Sequence, residues 1–427
     1  MDCNGKKRVV VTGIGPVTSV GIGNDAFRAG LLADTHPSRS LPESYCRFYT
    51  PHTGHYVPLP TVSTEDYGLS GKFDRIMQHE SRFAVVGAKL ALDDAGIPLT
   101  KKGDAFAVPD GDQACAVLGI GIGGLENAFT SHTAHITGTH PGSPGTASAR
   151  FNRMIVPMLM PNASAAWITI FFGITGGSCT VNASCASGTA AIGQAYLRIA
   201  QGMNRWALCG GVEALTENSG SILRGFDMLG VLTRAKNGIP QPFSTTRSGM
   251  LFAEGGGCVL VLEELSHALE RDARVYAEIT GYEETGDGCN IIQIDPDGKG
   301  IRRLLHRLTH DHTIDYLNTH GTGTVLNDAI EADAIRAVFG AKDRQPLLGT
   351  TKGLIGHTLG ASGAIEAADC LLALHHQAVC RNRCEEPLPQ LNLPLENRPA
   401  DITCAASVSY GFGGHNCGLV FRRMPVN

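Results

Sequence analysis

The sequence predicts an α/β protein built from two similar halves. Three observations lead to this prediction: β-branched runs alternate with segments of helical periodicity, one strand–turn–helix pattern occurs twice, and the chain is long enough for two units. With 427 residues, of which 43% are hydrophobic and 18% charged, the chain can bury a large core. Alternation of strands and helices is typical of largely parallel sheets that are covered by helices.

The β-branched runs give the expected strands in order. Four lie in the first part of the chain and four in the second, at 8–12, 115–120, 179–183, 206–210, 274–280, 314–319, 346–351 and 403–410. In open α/β sheets, chemistry gathers at the carboxyl ends of the strands. Cys185, His320 and His357 all follow such ends, so they are the first candidates for a functional site.

The repeated pattern is a strand, a turn and a helix of small residues. It reads CTVNASCASGTAAIGQAYLRIAQG from Cys179 and LLGTTKGLIGHTLGASGAIEAADCLLAL from Leu347. The similarity is weak, but it indicates the duplication of one α/β unit. We therefore expect an N-terminal half over residues 1–265, which carries the cysteine, and a C-terminal half over residues 266–427, which carries the two histidines.

Charge and hydrophobicity exclude several classes of protein. The formal net charge of −5 leaves no general basic surface for nucleic acid. The longest apolar region, 154–174, is interrupted by Pro157 and Pro161, which leaves nothing long enough to span a bilayer. The N-terminus has no long apolar stretch followed by a small-residue cleavage site. We expect a cytoplasmic protein that binds neither nucleic acid nor a membrane.

Neither a metal nor a nucleotide cofactor is expected. The thirteen cysteines show no C-x-x-C spacing and resemble small buried hydrophobes that are kept reduced. His132, His135 and His140 lie close in sequence, but no cysteine or carboxylate joins them at a recognisable ligand spacing. The segment GIGIGG at 119–124 fits the G-x-G-x-x-G template, yet no acidic residue stands at the ribose-binding distance. We expect these glycines to allow a tight strand-to-loop turn.

Cys185 is the candidate nucleophile. It stands in TVNASCASGTAAIG, between a β-branched run and a segment rich in alanine and glycine. At the first turn of a helix, partial positive charge and free N–H groups favour a thiolate over a thiol and can hold an oxyanion. A helix of small residues can pack on all sides, so we expect the thiol at the foot of a tunnel. Taken alone, a buried cysteine is more often inert packing.

Two histidines in glycine-rich loops favour a nucleophilic role for Cys185 over inert packing. His320 stands in YLNTHGTGTVLND directly after a strand, and His357 stands in TKGLIGHTLGASGAIE at the start of a helix. One histidine would indicate the base of a cysteine hydrolase. Two indicate a pair of imidazole N–H donors that converge on one oxygen, which suits an enolate.

These motifs resemble those of one enzyme family. The cysteine in VNASCASG, the histidine in NTHGTGT, the lysine and histidine in TKGLIGHTLGASG, and the segment SYGFGGHN are similar to the Cys-His-His set of elongating β-ketoacyl-acyl-carrier-protein synthases. The resemblance covers essentially the whole chain, from VVVTGIGPVTSVG to SYGFGGHNCGLVF. It implies a thiolase fold of duplicated αβαβα halves in five layers. It also implies a ketosynthase, an acyltransferase that condenses malonyl-carrier protein, with loss of carbon dioxide, onto an acyl chain held on Cys185.

The resemblance implies a role for each matching residue. Cys185 would take the acyl group, with the backbone N–H groups of Cys185 and Phe412 holding the oxyanion, while His320 and His357 would bind the malonyl thioester carbonyl. Lys352 and Glu366 would form a partly buried ion pair that fixes the geometry of the histidine donors. The hydroxyls of Thr322 and Thr324 would bind the phosphopantetheine arm. The ring of Phe412 would gate the acyl pocket. No cofactor is implied, since phosphopantetheine arrives on the carrier protein.

Asp328 and Glu331 also match the family, but an acidic start to a helix explains them through the helix dipole, so we interpret them as structural. Taken singly, Lys352 and Phe412 would likewise be an ordinary surface charge and a core residue. Because these residues occur along the chain in the same order as the matching residues of the family, we favour the functional interpretation.

Two departures from the family pattern bear on the pathway. Gly353 stands where many members carry a serine, and DGCNIIQIDPDGKG replaces a segment with histidine and threonine near the expected substrate entrance. These changes favour a type II polyketide or aryl-polyene system over housekeeping fatty-acid elongation. A thiolase acting on acyl-coenzyme A is a more remote alternative, because GFGGHN is not the thiolase cysteine–glycine motif although Cys417 lies close by. A non-catalytic chain-length factor would lack Cys185.

The expected partners are acyl- and malonyl-loaded carrier proteins and a second subunit. Carrier proteins are acidic, so we expect a local basic rim at the tunnel mouth, and position in the chain suggests Lys72, Arg75, Arg234 and Lys236. The family dimerises, so the second subunit would be an identical chain or a chain-length factor. We expect the stretch 154–174 and the histidine-rich loop before it to form part of that contact.

Overall fold

The computed structural model describes residues 5–137 and 152–425 of the chain. The strands are β1 (Val9–Thr18), β2 (Gly21–Ile22), β3 (Arg39–Ser40), β4 (His55–Tyr56), β5 (Thr100–Lys102), β6 (Ala105–Ala107), β7 (Ala114–Gly119), β8 (Ser178–Val181), β9 (Trp206–Ala214), β10 (Gly255–Glu264), β11 (Ala277–Gly286), β12 (Tyr316–Asn318), β13 (Leu347–Gly349), β14 (Ala378–Val379), β15 (Arg398–Pro399), β16 (Cys404–Gly411) and β17 (His415–Arg422). The α-helices are α1 (Asn24–Leu32), α2 (Glu43–Cys46), α3 (His79–Asp94), α4 (Leu125–Thr137), α5 (Ile155–Leu159), α6 (Ala163–Phe172), α7 (Ser187–Ala200), α8 (Ser221–Met228), α9 (Leu265–Glu270), α10 (Lys299–Thr309), α11 (Val325–Phe339), α12 (Lys352–Ile355) and α13 (Ser362–His376). The 3-10 turns are Glu65–Tyr67, Gly71–Ile76, Ser184–Ala186, Lys342–Arg344 and Leu359–Ala361.

The main sheet has eleven strands: two five-stranded groups with the same strand order, and the short β2, which pairs with β1. The first group runs β8-β7-β9-β10-β1 and the second runs β13-β12-β16-β17-β11. β1 and β11 pair over three residue pairs, which joins the groups into one sheet. Duplication of one unit produces such a shared order. The chain passes from the first group to the second between Glu264 and Ala277, and the predicted boundary at residue 265 falls in this interval.

Helices stack on these strands in five layers. α3 and α6 cover the outer face of the first group, and α10, with α11 packed on it, covers the outer face of the second. α7 and α13 lie between the groups and contact strands of both. This is the duplicated αβαβα arrangement that the motifs predict.

Small residues let the two central helices approach each other closely. A Cβ atom built on Gly188 of α7 would lie 2.8 Å from the backbone nitrogen of Ala364, and one built on Gly363 of α13 would lie 2.0 Å from Oγ1 of Thr189. Both separations are shorter than van der Waals contact permits in a close-packed interior. The alanine and glycine content of the two helical segments therefore serves packing between the halves.

The sheets are mixed, so the prediction of largely parallel sheets is wrong in part. β7 pairs in parallel with β8 and β9, and β12 pairs in parallel with β13 and β16. The other pairings described in the main sheet are antiparallel, and most involve β10 or β17. The β-branched runs do not predict these two strands, because GGGCVLVLEE opens with three glycines and HNCGLVFR alternates weakly.

The apolar region 154–174 forms two short helices, α5 and α6, instead of one long span. Phe171 and Phe172 are buried, whereas Val156 and Ile170 are exposed. No helix within 5–137 and 152–425 is long and apolar enough to cross a membrane. The expected contact with a second subunit stays a prediction, and the loop before this region, with His140, lies outside the described residues.

Candidate active site

Cys185 lies on a strained turn between β8 and α7. β8 ends at Val181, and a single 3-10 turn, Ser184–Ala186, precedes the helix. Ser184 has a φ of 53°, which is rare for a residue with a side chain and indicates local backbone strain. Cys185 is only 3% exposed, and it lines an internal cavity.

His357 contacts the thiol directly. Its Nε2 lies 3.2 Å from Sγ of Cys185. Its Nδ1 accepts a hydrogen bond from the backbone N–H of Leu359 at 3.2 Å and lies 3.0 Å from Oγ of Ser362. A ring nitrogen that accepts an N–H carries no hydrogen, so the hydrogen of the neutral ring is on Nε2. The ring therefore presents an N–H donor to the sulfur and to any oxygen bound beside it.

His320 lines the same cavity from the second half of the chain. It lies two residues after β12, and its backbone N–H donates to Oε1 of Glu331 at 2.8 Å. Its ring centroid is 5.5 Å from that of His357 and 5.4 Å from that of Tyr410. Within the described chain, its Nδ1 is buried without a hydrogen-bond partner. The structure thus brings the cysteine and both histidines together, and it positions His320 through its backbone and through packing.

Burial sets the charge of both histidines. It lowers the pKa of His320 and of His357 well below the usual 6.5, and the positive charge of Lys352 lowers both further. Both rings are therefore neutral at physiological pH. Neutral rings can donate hydrogen bonds without changing their charge.

The thiol does not have the lowered pKa that its position in the sequence predicts. Burial raises the pKa of Cys185, and it outweighs the opposing effects of Ser184, of Lys352 and of the backbone N–H of Phe412. Cys185 lies in a separate 3-10 turn ahead of α7, and the field of a helix falls off within its first turn. The thiol form therefore predominates near neutral pH.

Lys352 and Glu366 form an ion pair that is fully buried, whereas the sequence analysis predicts a partly buried one. Their side chains are 1% and 0% exposed, and Nζ of the lysine contacts Oε1 of the glutamate. Oε2 of Glu366 accepts a hydrogen bond from Ser409 at 3.4 Å. Burial raises the pKa of Glu366 to about 7, although Lys352 opposes this shift. Neither residue lines the cavity, so Lys352 acts on the histidines through its charge.

The cavity has a volume of about 340 Å³. The exposed apolar side chains of Leu229, Val325 and Leu326 contribute to its lining, so it reaches the protein surface. Thr322 and Thr324 also line it, and their hydroxyl oxygens lie 2.9 Å apart. The passage therefore presents this hydroxyl pair beside both polar and apolar side chains.

Phe412 lies in the loop between β16 and β17 and lines the cavity. The residue before this loop, Gly411, lies very close to the nucleophile turn, by which we mean the segment 183–186 around Cys185. A Cβ atom on Gly411 would lie 2.5 Å from the carbonyl oxygen of Ala183. Gly413 has a φ of 85°, which glycine adopts readily and other residues do not. Its N–H donates to the carbonyl oxygen of Ile291 at 2.8 Å. The Phe412 loop is thus tied to the segment that departs from the family pattern.

That segment lies at the cavity, where the sequence analysis expects the substrate entrance. The residues of 287–300 that line the cavity are Asp287, Ile292, Gln293 and Ile294. The other departure, Gly353, is not among the lining residues. A Cβ atom there would lie 3.2 Å from Pro242 and 3.3 Å from Arg383, so a serine would need a small shift of its neighbours.

Asp328 and Glu331 hold the loop that carries His320. Glu331 accepts the backbone N–H of His320 at 2.8 Å and that of Gly321 at 2.9 Å. Asp328 accepts the N–H of Gly323 at 3.1 Å. These contacts are structural, but they arise from hydrogen bonds to specific N–H groups and do not need the helix dipole that the sequence analysis invokes.

The basic residues suggested for the tunnel mouth are all exposed. The backbone N–H of Arg234 donates to Oγ of Ser248, which lines the cavity, at 3.0 Å. Lys72 pairs with Asp104 at 2.8 Å, and none of the four basic residues is among those that line the cavity. Within the described ranges, no group of three or more His, Cys, Asp or Glu could hold a metal ion.

Comparison with known proteins places this geometry in context. A family profile described as "Beta-ketoacyl synthase, N-terminal domain" matches residues 6–268, and "Beta-ketoacyl synthase, C-terminal domain" matches residues 276–384. The 3-oxoacyl-[acyl-carrier-protein] synthase 1 of Escherichia coli K12 is 33% identical over 437 residues, which cover 98% of this chain and 99% of that protein. The 3-oxoacyl-[acyl-carrier-protein] synthase 2 of Synechocystis sp. is 31% identical over 438 residues, which cover 98% of both.

Solved structures agree with these matches. A β-ketoacyl synthase from Burkholderia phymatum STM815 superposes with a TM-score of 0.85 at 30% identity, over 98% of this chain and 100% of that one. The ishigamide ketosynthase/chain length factor superposes with a TM-score of 0.83 at 26% identity, over the same shares of the two chains.

Proposed function

Since the chain belongs to the β-ketoacyl synthase family, with its thiolase fold, we propose that Cys185 holds an acyl chain that condenses with decarboxylating malonyl-carrier protein. Members of this family are ketosynthases, and this protein is accordingly an acyltransferase. The observation that carries the proposal is the 3.2 Å contact between Nε2 of His357 and Sγ of Cys185, with the ring of His320 nearby. One nucleophile and two N–H donors surround a volume that suits a thioester carbonyl.

In the first half-reaction the acyl group moves to Cys185. Its sulfur attacks the thioester carbonyl of an acyl-carrier protein, the bond to the carrier sulfur breaks, and the thiol proton ends on the departing carrier thiol. Because burial raises the pKa of Cys185, the reaction starts from the thiol form. The backbone N–H groups of Cys185 and Phe412 hold the oxyanion. Support for Phe412 comes from its N–H, which bonds the sulfur and favours its charged form.

In the second half-reaction the two histidines stabilise an enolate. The bond between the malonyl carboxylate and its α-carbon breaks, carbon dioxide leaves, and the electron pair forms an enolate whose oxygen accepts N–H groups from His320 and His357. The enolate carbon then attacks the acyl-cysteine carbonyl. A carbon–carbon bond forms, the carbon–sulfur bond breaks, and Cys185 regains a proton from solvent.

The neighbouring residues position these groups. Burial keeps both rings neutral, and the buried charge of Lys352, balanced by Glu366, adds to this effect, so the rings remain donors throughout. The hydroxyls of Thr322 and Thr324 bind amide groups of the phosphopantetheine arm, which the carrier protein brings as part of the substrate. Phe412 swings on its flanking glycines to open the way from the thiol to the acyl pocket. The reaction needs no separate cofactor.

The pathway that we propose is type II polyketide or polyene biosynthesis, with a chain-length factor as second subunit. It is supported by segment 287–300, which lines the cavity with Ile292 and Ile294 and departs from the pattern of housekeeping synthases. The similarity to a ketosynthase/chain length factor also supports it. Housekeeping fatty-acid elongation by a homodimer is the alternative, and the two curated relatives, both 3-oxoacyl-[acyl-carrier-protein] synthases, support that reading.

A thiolase would need a second cysteine at the cavity. Cys417 is buried within β17 and is not a lining residue. Burial raises its pKa to about 12, which is unsuited to acid–base exchange near neutral pH. The position of Cys417 therefore disfavours thiolase chemistry.

Intact-mass spectrometry tests the proposal. The wild-type protein and Cys185→Ala are incubated with a panel of acyl-carrier thioesters, and only the wild type should gain an acyl adduct. Added malonyl-carrier protein should then remove the adduct and release one carbon dioxide for each β-ketoacyl product. Absence of any adduct on Cys185 would overturn the proposal. The preferred acyl group and the size of the complex with co-expressed genomic neighbours decide the pathway and the second subunit.

A further inference from the structure

The carboxylate of Glu213 is enclosed by backbone N–H groups from both halves of the chain. Glu213 lies in β9 and is fully buried. Its oxygens accept four N–H groups, from Gly121 at 2.8 Å, Ile122 at 3.2 Å, Gly123 at 3.0 Å and Gly360 at 3.1 Å. The first three lie in GIGIGG, and the fourth lies in the 3-10 turn Leu359–Ala361 of the second half. Several N–H donors hold a carboxylate in one orientation.

This arrangement explains the glycine-rich segment 119–124. In a nucleotide-binding loop such N–H groups cradle a phosphate, whereas here the protein's own carboxylate takes that place. The packing leaves no room for side chains: a Cβ atom on Gly121 would lie 2.4 Å from Oε2 of Glu213, and one on Gly360 would lie 2.3 Å from the nitrogen of Gly121. The glycines therefore leave space for the carboxylate of Glu213, in addition to allowing the tight turn that the sequence predicts.

A chain of hydrogen bonds leads from this segment to the nucleophile. The carbonyl oxygen of Gly121 accepts a bond from Nδ2 of Asn182 at 2.8 Å, and Oδ1 of Asn182 accepts the N–H of Ser184 at 3.2 Å. Ser184 has the strained φ and directly precedes Cys185. A displacement of Glu213 is thereby transmitted to the turn that carries the thiol.

A second connection leads to the histidine. Leu359, whose N–H bonds Nδ1 of His357, directly precedes Gly360, whose N–H bonds Glu213. Leu359 has a φ of 46°, so this turn is also strained and depends on contacts from its surroundings. Both turns of the site therefore rest on one carboxylate.

We propose that Glu213 is a positioning residue that fixes the separation between Sγ of Cys185 and Nε2 of His357. The proposal rests on the proposed function and adds to it the group that aligns the two halves. Without this carboxylate the loop at 121–123 and the turn at Gly360 lose the one side chain that bonds both of them. A misplacement of about 1 Å at a reacting centre can lower a rate by about a hundredfold.

Glu213→Gln tests this role, with Glu263→Gln as the matched control. Glutamine keeps the volume of the side chain but directs an NH2 group at backbone N–H groups. Glu263 is also fully buried, and it lies on the adjacent strand, β10. It is about 23 Å along that strand from Gly256, the residue that pairs with Glu213. Its carboxylate bonds Arg271 and no residue of the site. Glu213→Gln should lower the rate of Cys185 acylation by about ten- to a hundredfold. Glu263→Gln should change it less than about twofold, even if its Tm falls.

The pH profile of Cys185 alkylation by iodoacetamide separates positioning from simple destabilisation. Loss of the N–H···S contact from His357 should shift that profile to higher pH in Glu213→Gln and leave it unchanged in Glu263→Gln. Equal acylation rates and equal profiles for the two variants would overturn the proposal.

Asn182→Ala keeps the proposal falsifiable if Glu213→Gln does not fold. Asn182 is exposed, and its removal cuts the same chain of hydrogen bonds on the nucleophile side. Acylation should fall severalfold with an unchanged Tm, and an unchanged rate would refute the role of Glu213. Failure of the wild-type protein to acquire any acyl group would instead refute the proposed function, so the two failures are distinguishable.

Discussion

Nε2 of His357 lies 3.2 Å from Sγ of Cys185, with its hydrogen directed toward the sulfur. His320 lines the same cavity, but its ring packs against His357 and Tyr410. The two histidines are therefore not equivalent, although they come from similar glycine-rich loops. In the mechanism that we propose, His357 acts on both the thiol and the enolate, whereas His320 acts only on the enolate.

The variants His320→Ala and His357→Ala should separate the two half-reactions. Removal of His320 should leave acyl loading of Cys185 near the wild-type rate and lower malonyl decarboxylation by about a hundred- to a thousandfold, because one enolate donor is lost. Removal of His357 should lower both. Intact mass measures loading, and carbon dioxide release measures decarboxylation. Equal effects of the two variants on loading would contradict the assignment.

Cys185→Ala should retain decarboxylation without loading. The two histidine donors are intact in this variant, so malonyl-carrier protein should still lose carbon dioxide and yield acetyl-carrier protein. Chromatography of the carrier protein after incubation gives the amount of product. If decarboxylation is lost together with loading, the sulfur takes part in both steps and the division of roles is wrong.

Thr324→Val should raise KM for the carrier substrate and leave kcat unchanged. The hydroxyl of Thr324 lies beside that of Thr322 in the passage, and in the proposed mechanism it binds the phosphopantetheine arm and not the reacting carbonyl. Its contribution to binding should therefore be equal in the ground state and the transition state. Thr324→Ser retains a hydroxyl and is the control. Steady-state kinetics with acyl-carrier protein distinguishes this outcome from a fall in kcat, which would place the residue at the chemistry.

Stability should fall as pH rises through the titration of Glu331. Burial raises its pKa from 4.5 to about 7. Between these values the folded protein holds a proton that the unfolded chain has released, so stability decreases with pH and the decrease ends above about 7. From pH 5.5 to pH 8 the loss from this group is about 2 kcal/mol.

Glu331→Gln has no proton to release and should lack this part of the decline. Glu80 and Glu366, whose pKa values burial also raises to about 7, titrate in both proteins, so the difference between wild type and variant isolates Glu331. Urea denaturation at pH 5.5 and pH 8 gives the two free energies of unfolding. A parallel decline in both proteins would show that Glu331 does not titrate in this range.

Gly363→Ala should destabilise the protein by about 1–3 kcal/mol, because its Cβ atom would overlap Oγ1 of Thr189 between the central helices. Gly225→Ala is the control. Gly225 lies in α8 with no atom within 4 Å of the added Cβ, so this change should stabilise the protein by about 0.4–1 kcal/mol. Urea denaturation measures both, and similar effects at the two positions would contradict the close packing of α7 on α13.

Cys185 and His320 can be identified as site candidates from sequence because each lies within a few residues of the carboxyl end of a short strand. The charge of the thiol is not predictable in the same way. It depends on burial, which raises the pKa of Cys185, and on N–H donors contributed by a distant loop. A local sequence pattern gives neither the burial of the thiol nor the position of the distant N–H donors.

The role that we propose for Glu213 is likewise not predictable from a local sequence pattern. Its partners lie 92 and 147 positions away along the chain, at Gly121 and Gly360. The only local signal was the density of glycines in 119–124, which indicates that a backbone approaches something closely but not what that group is. The β-branched runs do not include β10 and β17 for a related reason, since the pairing of these strands with their neighbours depends on the tertiary fold.

Gly411 sets the loop that carries Phe412 directly against the nucleophile turn. In vectorial synthesis this hairpin leaves the ribosome after Cys185, His320 and His357. A nascent chain that already contains those three side chains still lacks the backbone N–H of Phe412 and the aromatic ring that lines the cavity. The part of the cavity wall that Phe412 forms is therefore complete only after this hairpin has docked.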